Sequence, residues 1–570
     1  MKRDKKILGL LLAVILIVSL AACGGNTGSN ASNPATSANA VTEESSPATD
    51  ILSPYAPYPE TITLSIGKVL YADPKFPEGQ DSRKNLILDL LKERLNIEFN
   101  VLWEVDQKEY KNKLGLSIAS GEMPDMVEIS GDDYLTFRQL AENGALADLT
   151  EAYDKCSGDY MKKIMQSFVG NKFEPITIGG KLYAYPNMGL GFNQNLLWVR
   201  NDWLKKVGLP APKTVEDIKT VAKAFIDQDP GGNGAGKTVG MVLNSTLPLG
   251  NYSNYLGAES IANSVGAYPR QWMKDANGNV YYGSVAPEMK TALGILSDMY
   301  KGGLIDKSFL TRKSASEAEA IVKDNRCGMF FSAWWAGWPL YDLVKTHPEA
   351  DWLALNAPLD SEGKYKHNAP ATTDYLLVMS KNCKYPEAMI KILNVEFDAW
   401  RGFDADAKAK IQPFRDLGTS FQAANPTGDI NLDYYDVLPR LGHKVKDYAE
   451  TGKIEWDESA SDYDKQVAED AKNYAAKQDT NNQNAWIAWY TRVVASTNLD
   501  APENLEVKQA YSYSTESMPD IKPALDTLED ATVLQIITGD KPLDYFDEFV
   551  AQWKKAGGDK LTQEVQEIVK

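Results

Sequence analysis

Between residues 60 and 130 the chain alternates two hydrophobic periods, and that alternation limits the fold more than any other feature. In "ETITLSIGK" (60–68) Ile62, Leu64 and Ile66 fall on every second position, the period of a strand with one buried face. "NLILDLLKERL" (85–95) shifts to helical spacing and "NIEFNVLW" (96–103) returns to a strand. A further helix runs into "SIASGEMPD" (117–125), and Met126–Ile129 reads as a third, short strand. This βαβαβ rhythm predicts an α/β fold with a doubly wound, mostly parallel sheet. Ligands on such sheets sit beyond the carboxyl ends of the strands. The loops "GKVLY" (67–71) and "SGDDY" (130–134) are therefore the expected floor of a site.

The helical period dominates from residue 200. "NDWLKKVGL" is followed by "TVEDIKTVAKAFIDQ", with Thr214 as N-cap and Asp217 in the first turn. "APEMKTALGILSDMYKGGLID" sets Leu293, Leu296, Met299 and Tyr300 on one face and stops at Gly302-Gly303. "CGMFF" and "TDYLLVMSK" read as strands, "YPEAMIKILNVEF" as a helix, and 400–570 as a polar, mostly helical tail without an internal repeat.

Ahead of this body stand a basic tip (Lys2, Arg3, Lys5, Lys6) and an apolar run from Ile7 to Leu20. The run is short for a membrane span and fits a secretory signal. Leu20-Ala21-Ala22-Cys23 resembles the bacterial lipobox, which implies cleavage before Cys23 and lipidation of its sulfur. Residues 24–54, rich in Gly, Asn, Ser, Thr, Ala and Pro, bury too little to fold and read as a tether of roughly 30 Å reach. The rest, 55–570, exceeds one core and calls for two or more lobes. The net charge is −18, and removing a signal with four basic residues and one acidic leaves −21. So acidic a body excludes nucleic acid as a partner and offers no general field for anions, although a local site can override that. Cys156, Cys327 and Cys383 read as buried thiols, with a Cys327–Cys383 bridge left open.

Four segments, "IASGEMPDMVEIS", "IGGKLYAYP" with "LLWVRNDWLKKVGLPAPKTVEDI", "CGMFFSAWWAGWP" and "TDYLLVMSKNCKYPEAMIKILN", occur in one order along the body. That order resembles the extracellular solute-binding proteins of ABC importers, the sugar-binding class related to maltose-binding protein, and in particular the long LplA-like lipoproteins of Firmicutes. The resemblance implies a two-lobed, periplasmic-binding-protein-like fold of type II. It puts the first crossing between lobes near Tyr185-Pro186 and the return at 369–375. The implied division is signal peptide 1–22, lipidated Cys23 and linker 23–54, first lobe 55–186, second lobe 187–370, and 371–570 returning to the first lobe with helical additions to both. It also implies closure on a ligand, docking on an ABC permease, a monomer, no cofactor, and lipid attachment at the extracellular face of a Gram-positive-type membrane.

Sugars present apolar C–H faces and a rim of hydroxyls, which rings and carboxylates match. "SAWWAGW" places Trp334, Trp335 and Trp338 just after a strand. Trp334 and Trp338 share a helix face by their spacing, and the family position favours Trp335 as the stacking residue. The alternative for all three is a core anchor. Tyr185 at the first crossing is a candidate for the cleft floor, and Trp198 divides evenly between core and site. Asp132 and Asp133 are placed to accept hydroxyl hydrogen bonds or to cap the next helix. Asp374 and Tyr375 at the return crossing, and Lys68 after the first strand, complete the set, Lys68 with a solvated alternative. In "DQDPGGNGAG" (227–236) Asp229 and Asn233 match the calcium loop of many relatives. Gly231 and Lys237 replace its acids, so the loop, even with Asp227 nearby, reads as a turn without metal.

The leading function is a lipid-anchored receptor that hands an oligosaccharide to an ABC permease. A secreted glycan-active enzyme is the rival, since 78 Asp and Glu leave room for a carboxylate pair. His347, His367 and His443 lack metal-ligand spacing, and no nucleophile-elbow or phosphate-loop motif occurs. The same fold binding peptide, or acting as a sensor, is the third reading.

Overall fold

Ile62, Leu64 and Ile66 are buried on alternate positions as predicted, but strand β1 (Ile62–Leu70) continues beyond them. It pairs in parallel with β2 (Ile97–Asp106) out to Leu70↔Asp106, with a register shift between Ile66 and Gly67. Gly67 lies under the indole of Trp103, where a Cβ would stand 2.3 Å from the ring, so only glycine admits that packing. The loop expected at 67–71 is therefore strand up to Leu70.

The computed structural model describes residues 51–570 except 72–73, 169–172, 188–189, 245–247, 251–254, 313, 370–374, 431–432 and 458–459. The signal, the lipobox with Cys23, most of the linker and Asp374 lie outside the described residues. The remaining strands are β3 (Met126–Ser130), the hairpin β4 (Thr177–Ile178) and β5 (Lys181–Leu182), β6 (Tyr185–Asn187), β7 (Leu196–Arg200), the hairpin β8 (Trp272–Lys274) and β9 (Val280–Tyr282), β10 (Met329–Ser332), β11 (Trp352–Leu355), β12 (Tyr365–Asn368), β13 (Tyr375–Met379) and β14 (Asn504–Val507).

Two sheets organise the body. The first has the order β2-β1-β3-β13-β6, with β1, β2 and β3 parallel and β13 antiparallel to both neighbours. The second has the order β10-β7-β11, with β7 antiparallel to both, and parallel bridges Val239↔Cys327 and Met241↔Ile305 extend it. Four of the five strands of the first sheet thus run the same way, and parallel pairing in the second is confined to bridges. In each sheet the reversed strand is the one entered on arrival from the other: β7 follows β6, and β13 follows β11 and β12.

Packing follows the strand period. Along β7, Leu197 and Val199 join one core and Leu196 and Trp198 another, so both faces of this sheet are covered. The first sheet has its own core around Leu64, Leu91, Phe137, Leu376 and Leu393. The tail serves all of them. Ile411 and Phe414 enter the first core, Trp486 and Tyr490 one face of the second sheet, and Leu525, Ile536 and Trp553 the other. Thr214 and Asp217 form a reciprocal capping box, and helix Pro287–Lys301 buries Leu293, Leu296 and Met299 before stopping at Gly302.

Cys156, Cys327 and Cys383 are buried thiols, none of them in a disulfide. Cys327 and Cys383 sit in different cores, so no bridge joins them. Burial pushes the Cys327 thiol up to about 11 and that of Cys383 to about 12, which keeps both unreactive. Among the described residues no helix is long and apolar enough to cross a membrane.

Candidate functional site

After Ser332 the chain leaves β10, turns tightly through Trp334–Ala336 and enters helix Gly337–Val344. The indole of Trp198, fully buried in β7, fixes the start of that turn by donating from Nε1 to the carbonyls of Ser332 (3.1 Å) and Ala333 (3.2 Å). Trp198 is therefore a core anchor and offers no ligand surface, because both faces of its sheet are covered. Gly337 lets the turn approach Thr491, whose Cγ2 would lie 2.8 Å from an added Cβ. The rings of Trp334 and Trp338 meet edge to face at 5.4 Å, as their four-residue spacing predicts. Trp335 turns instead to Tyr255, 5.1 Å away, whose hydroxyl donates to Glu319 at 2.8 Å. Trp334 and Trp335 are half-buried, and Trp338 is 41 % exposed.

Trp334 forms part of the wall of a cavity of about 580 Å³. Another part of the wall comes from the edge of the first core. There Trp400 donates from Nε1 to Asn425 Oδ1 at 2.9 Å and stands 6.5 Å from Phe421. Helix Val437–Thr451 and the π-helical stretch Trp489–Ala495, which carries Arg492, close the cavity. Arg401 pairs with Asp433 at 2.7 Å. Burial alone would lower its guanidinium, but the facing Asp433 holds it above the usual range. Glu396 accepts a hydrogen bond from the Thr427 hydroxyl, and burial pushes its carboxyl up to about 8. Trp400, Phe421, Glu396 and Arg492 were not legible as site residues. The one available signal was the aromatic content of a polar tail.

Two predicted contacts, Tyr185 and Lys68, lie elsewhere. Tyr185 is fully buried in the first core, its hydroxyl without a hydrogen-bond partner among the described residues and raised by burial well above the usual range. It does not form a cleft floor, because β6 packs it inward. Lys68 is neither solvated nor open to ligand. Buried within β1, it donates from Nζ to the carbonyls of Ala423 (2.9 Å) and Asn425 (3.2 Å), and loss of water lowers it to about 8. Asp133 makes no capping hydrogen bond and pairs with Lys111. Tyr375 opens β13, half-buried, and accepts from Gln107 Nε2 at 3.4 Å. The side chain of Asp132 and all of Asp374 lie outside the described residues.

In the 227–236 loop the oxygens of Asp229 accept from the backbone N–H of Asn233 (3.1 Å) and of Gly234 (2.7 Å), and from the Thr238 hydroxyl (2.5 Å). Burial opposes ionisation, but these bonds hold the Asp229 carboxyl below its usual range. Asp227 pairs with Lys223 at 2.8 Å, and Asn233 Nδ2 donates to Thr238 and to the Asn325 carbonyl.

Two α/β sheets, each with one reversed strand at the crossing, and a cavity between their cores define the two-lobed solute-binding-protein fold. Alginate-binding protein AlgQ2, solved without calcium ion, shares that fold with a TM-score of 0.57 at 17 % identity, over 91 % of this chain and 99 % of its own. The profile described as bacterial extracellular solute-binding protein matches residues 78–400, more than half of the chain, and the chain belongs to that family. It is 31 % identical to Lipoprotein LipO of Bacillus subtilis (strain 168) over 245 residues, 42 % of this chain and 45 % of LipO. It is 26 % identical over 261 residues to the fructooligosaccharide ABC transporter substrate-binding protein FusA of Streptococcus pneumoniae serotype 4, 44 % of this chain and 47 % of FusA. The chain thus spans about half the length of the curated relatives it matches.

Proposed function

We propose that this protein is a lipid-anchored receptor at the extracellular face of a Gram-positive-type membrane, which captures an oligosaccharide by lobe closure and delivers it to an ABC import permease. It works as a monomer, without cofactor and without a chemical step. The observation that carries this reading is the cavity of about 580 Å³ to which both halves contribute aromatic rings, Trp400 and Phe421 from one side and Trp334 from the other. Aromatic rings contributed to one cavity from both halves suit the apolar faces of a sugar chain. A ligand held by both halves binds the closed form better and shifts the population toward it. The likeness to a fructooligosaccharide-binding protein, FusA, and to a lipoprotein, LipO, supports the substrate class and the anchor at Cys23.

The lobes we propose are 55–186 and 187–370, with 371–570 returning to the first and adding helices to both, a division supported by the two reversed strands and by the tail's packing on both sheets. Trp334, Trp335 and Trp338 supply the stacking surface, with Asp132, Asp133, Asp374 and Tyr375 as partners for sugar hydroxyls. The 227–236 loop acts as a metal-free turn.

A thermal-shift screen of the full chain in detergent against oligosaccharides and short peptides tests this, with each ligand recovered and sized afterwards. One class of intact oligosaccharide should raise Tm in a concentration-dependent way. Stabilisation by peptides alone would overturn the substrate class, and fragmentation of the ligand would make the protein an enzyme.

A further inference from the structure

Two arginines are buried deeply enough to lose their water, and the molecule treats them differently. Arg200, fully buried at the end of β7, gives Nε and Nη2 to the two oxygens of Asp202 at 2.7 Å each, and Nη1 to Asn325 at 2.6 Å. Arg492 is 6 % exposed, and among the described residues its guanidinium has neither hydrogen bond nor ion pair. Nε and Nη1 are shielded from solvent without a partner. What it has is the ring of Trp334, whose centroid lies 4.5 Å from the guanidinium carbon. Arg492 belongs to the stretch Trp489–Ala495, whose π-helical backbone is rare and recurs at functional sites. Arg492 and Trp334 both form part of the cavity wall.

The other charges on that wall are already committed. Asp433 is held by Arg401 at 2.7 Å, and Asp464 accepts from the backbone N–H and the hydroxyl of Ser461 at 2.9 and 2.8 Å. Arg415 gives Nη2 to the carbonyls of Ala399 and Trp400 at the end of their helix, although its Nε is buried without a partner among the described residues. Glu396 is bonded to Thr427, and its raised carboxyl is mostly neutral at pH 7.

A guanidinium with two of its nitrogens cut off from water and without a counter-ion is unfavourable, and stacking on an indole offsets only part of that. A carboxylate that accepts from Nη2, the one guanidinium nitrogen not shielded, supplies the missing charge. We infer that the cavity takes an acidic saccharide, whose carboxylate pairs with Arg492 while its ring faces lie against the aromatic wall. This rests on the reading of the protein as an oligosaccharide receptor and names the substrate class. It also shows how a chain of net charge −18 can hold an anion: the attraction is local and acts where little water screens it.

The test is calorimetric titration of the full chain in detergent. The probes are short oligosaccharides cut from polyuronates, and the same oligosaccharides after every carboxyl has been reduced to an alcohol. The acidic pool should bind at least ~10-fold more tightly, one charge-assisted contact in a dry site. That preference should shrink as NaCl rises from roughly 0.05 to 0.5 M. It should vanish in Arg492→Met and return in part in Arg492→Lys. Equal affinity for both pools, a preference that survives Arg492→Met, or binding of neutral saccharides alone would overturn the inference and leave the receptor standing. If no saccharide of either kind binds, both fall. The comparison of the two pools on the unmodified chain needs no substitution, so a misfolded variant does not shield the inference.

Discussion

Lys68, which holds the 421–425 segment behind the cavity wall, and Arg492, which lies on that wall, are both buried cations, and they differ in what surrounds them. Lys68 donates to two main-chain carbonyls and faces the carboxyls of Glu104, Glu396 and Glu128. It ties β1 to the 421–425 segment, which carries Phe421 and Asn425 to the cavity wall. Arg492 stacks on Trp334 and is bonded to nothing else described. The contrast teaches how to sort buried charge in this molecule. A compensated cation is a structural pin, and an uncompensated one at a cavity is a place for a ligand.

The sharpest way to break this comparison is to remove both charges in the same way. Lys68→Met leaves two carbonyls without a donor and takes the cation from buried acids, so it should cost about 3–5 kcal/mol in urea unfolding. Arg492→Met removes a charge that the fold leaves unpaired and should change stability by no more than about 1 kcal/mol. Equal costs would erase the distinction. A smaller effect is expected on the Arg492 side of the cavity from Trp198→Phe, which loses the Nε1 bonds to Ser332 and Ala333. It should cost about 1–2 kcal/mol by urea unfolding and weaken ligand binding by loosening the aromatic turn.

The smallest effect is a slope. Burial raises the Glu128 and Glu396 carboxyls from 4.5 to about 8, so the folded chain keeps protons that the unfolded chain releases. That contribution is complete below the unfolded value and is lost as pH rises through about 8. Lys68, lowered by burial from 10.5 to about 8, acts in the opposite sense, and its penalty fades as pH rises between those values. Urea midpoints should therefore fall from about pH 5 to 8 and then flatten or recover. Glu128→Gln should reduce the fall, and an unchanged slope would remove Glu128 from the account.

These contrasts also mark what was readable in the sequence. Alternation in Ile62, Leu64 and Ile66 identified the buried face of β1, and the βαβαβ rhythm identified the α/β class, because strand and helix periods are set locally; the two lobes were legible only through the family resemblance. The end of β1 was not readable. Gly67, Lys68 and Val69 are all buried, and a lysine inside a strand contradicts the pattern that marks one. The spacing of Trp334 and Trp338 correctly implied a shared face. Whether Trp198 and Tyr185 served core or site depended on what covered the other side of their strands, which is a tertiary fact. Glu396, Trp400, Phe421 and Arg492 come together only through packing of segments far apart in the chain. Helical periodicity tells which face of each is buried, not which neighbour buries it.

The most direct test of the central claim, that this cavity holds a saccharide, is a Trp-fluorescence titration of the full chain and of Trp334→Ala with an oligosaccharide recovered intact afterwards. The account predicts saturation at one equivalent, with affinity at least ~10-fold weaker in Trp334→Ala, the loss expected for an aromatic anchor at the centre of a site. Equal affinity in the two proteins, or no saturable saccharide binding in either, would contradict it.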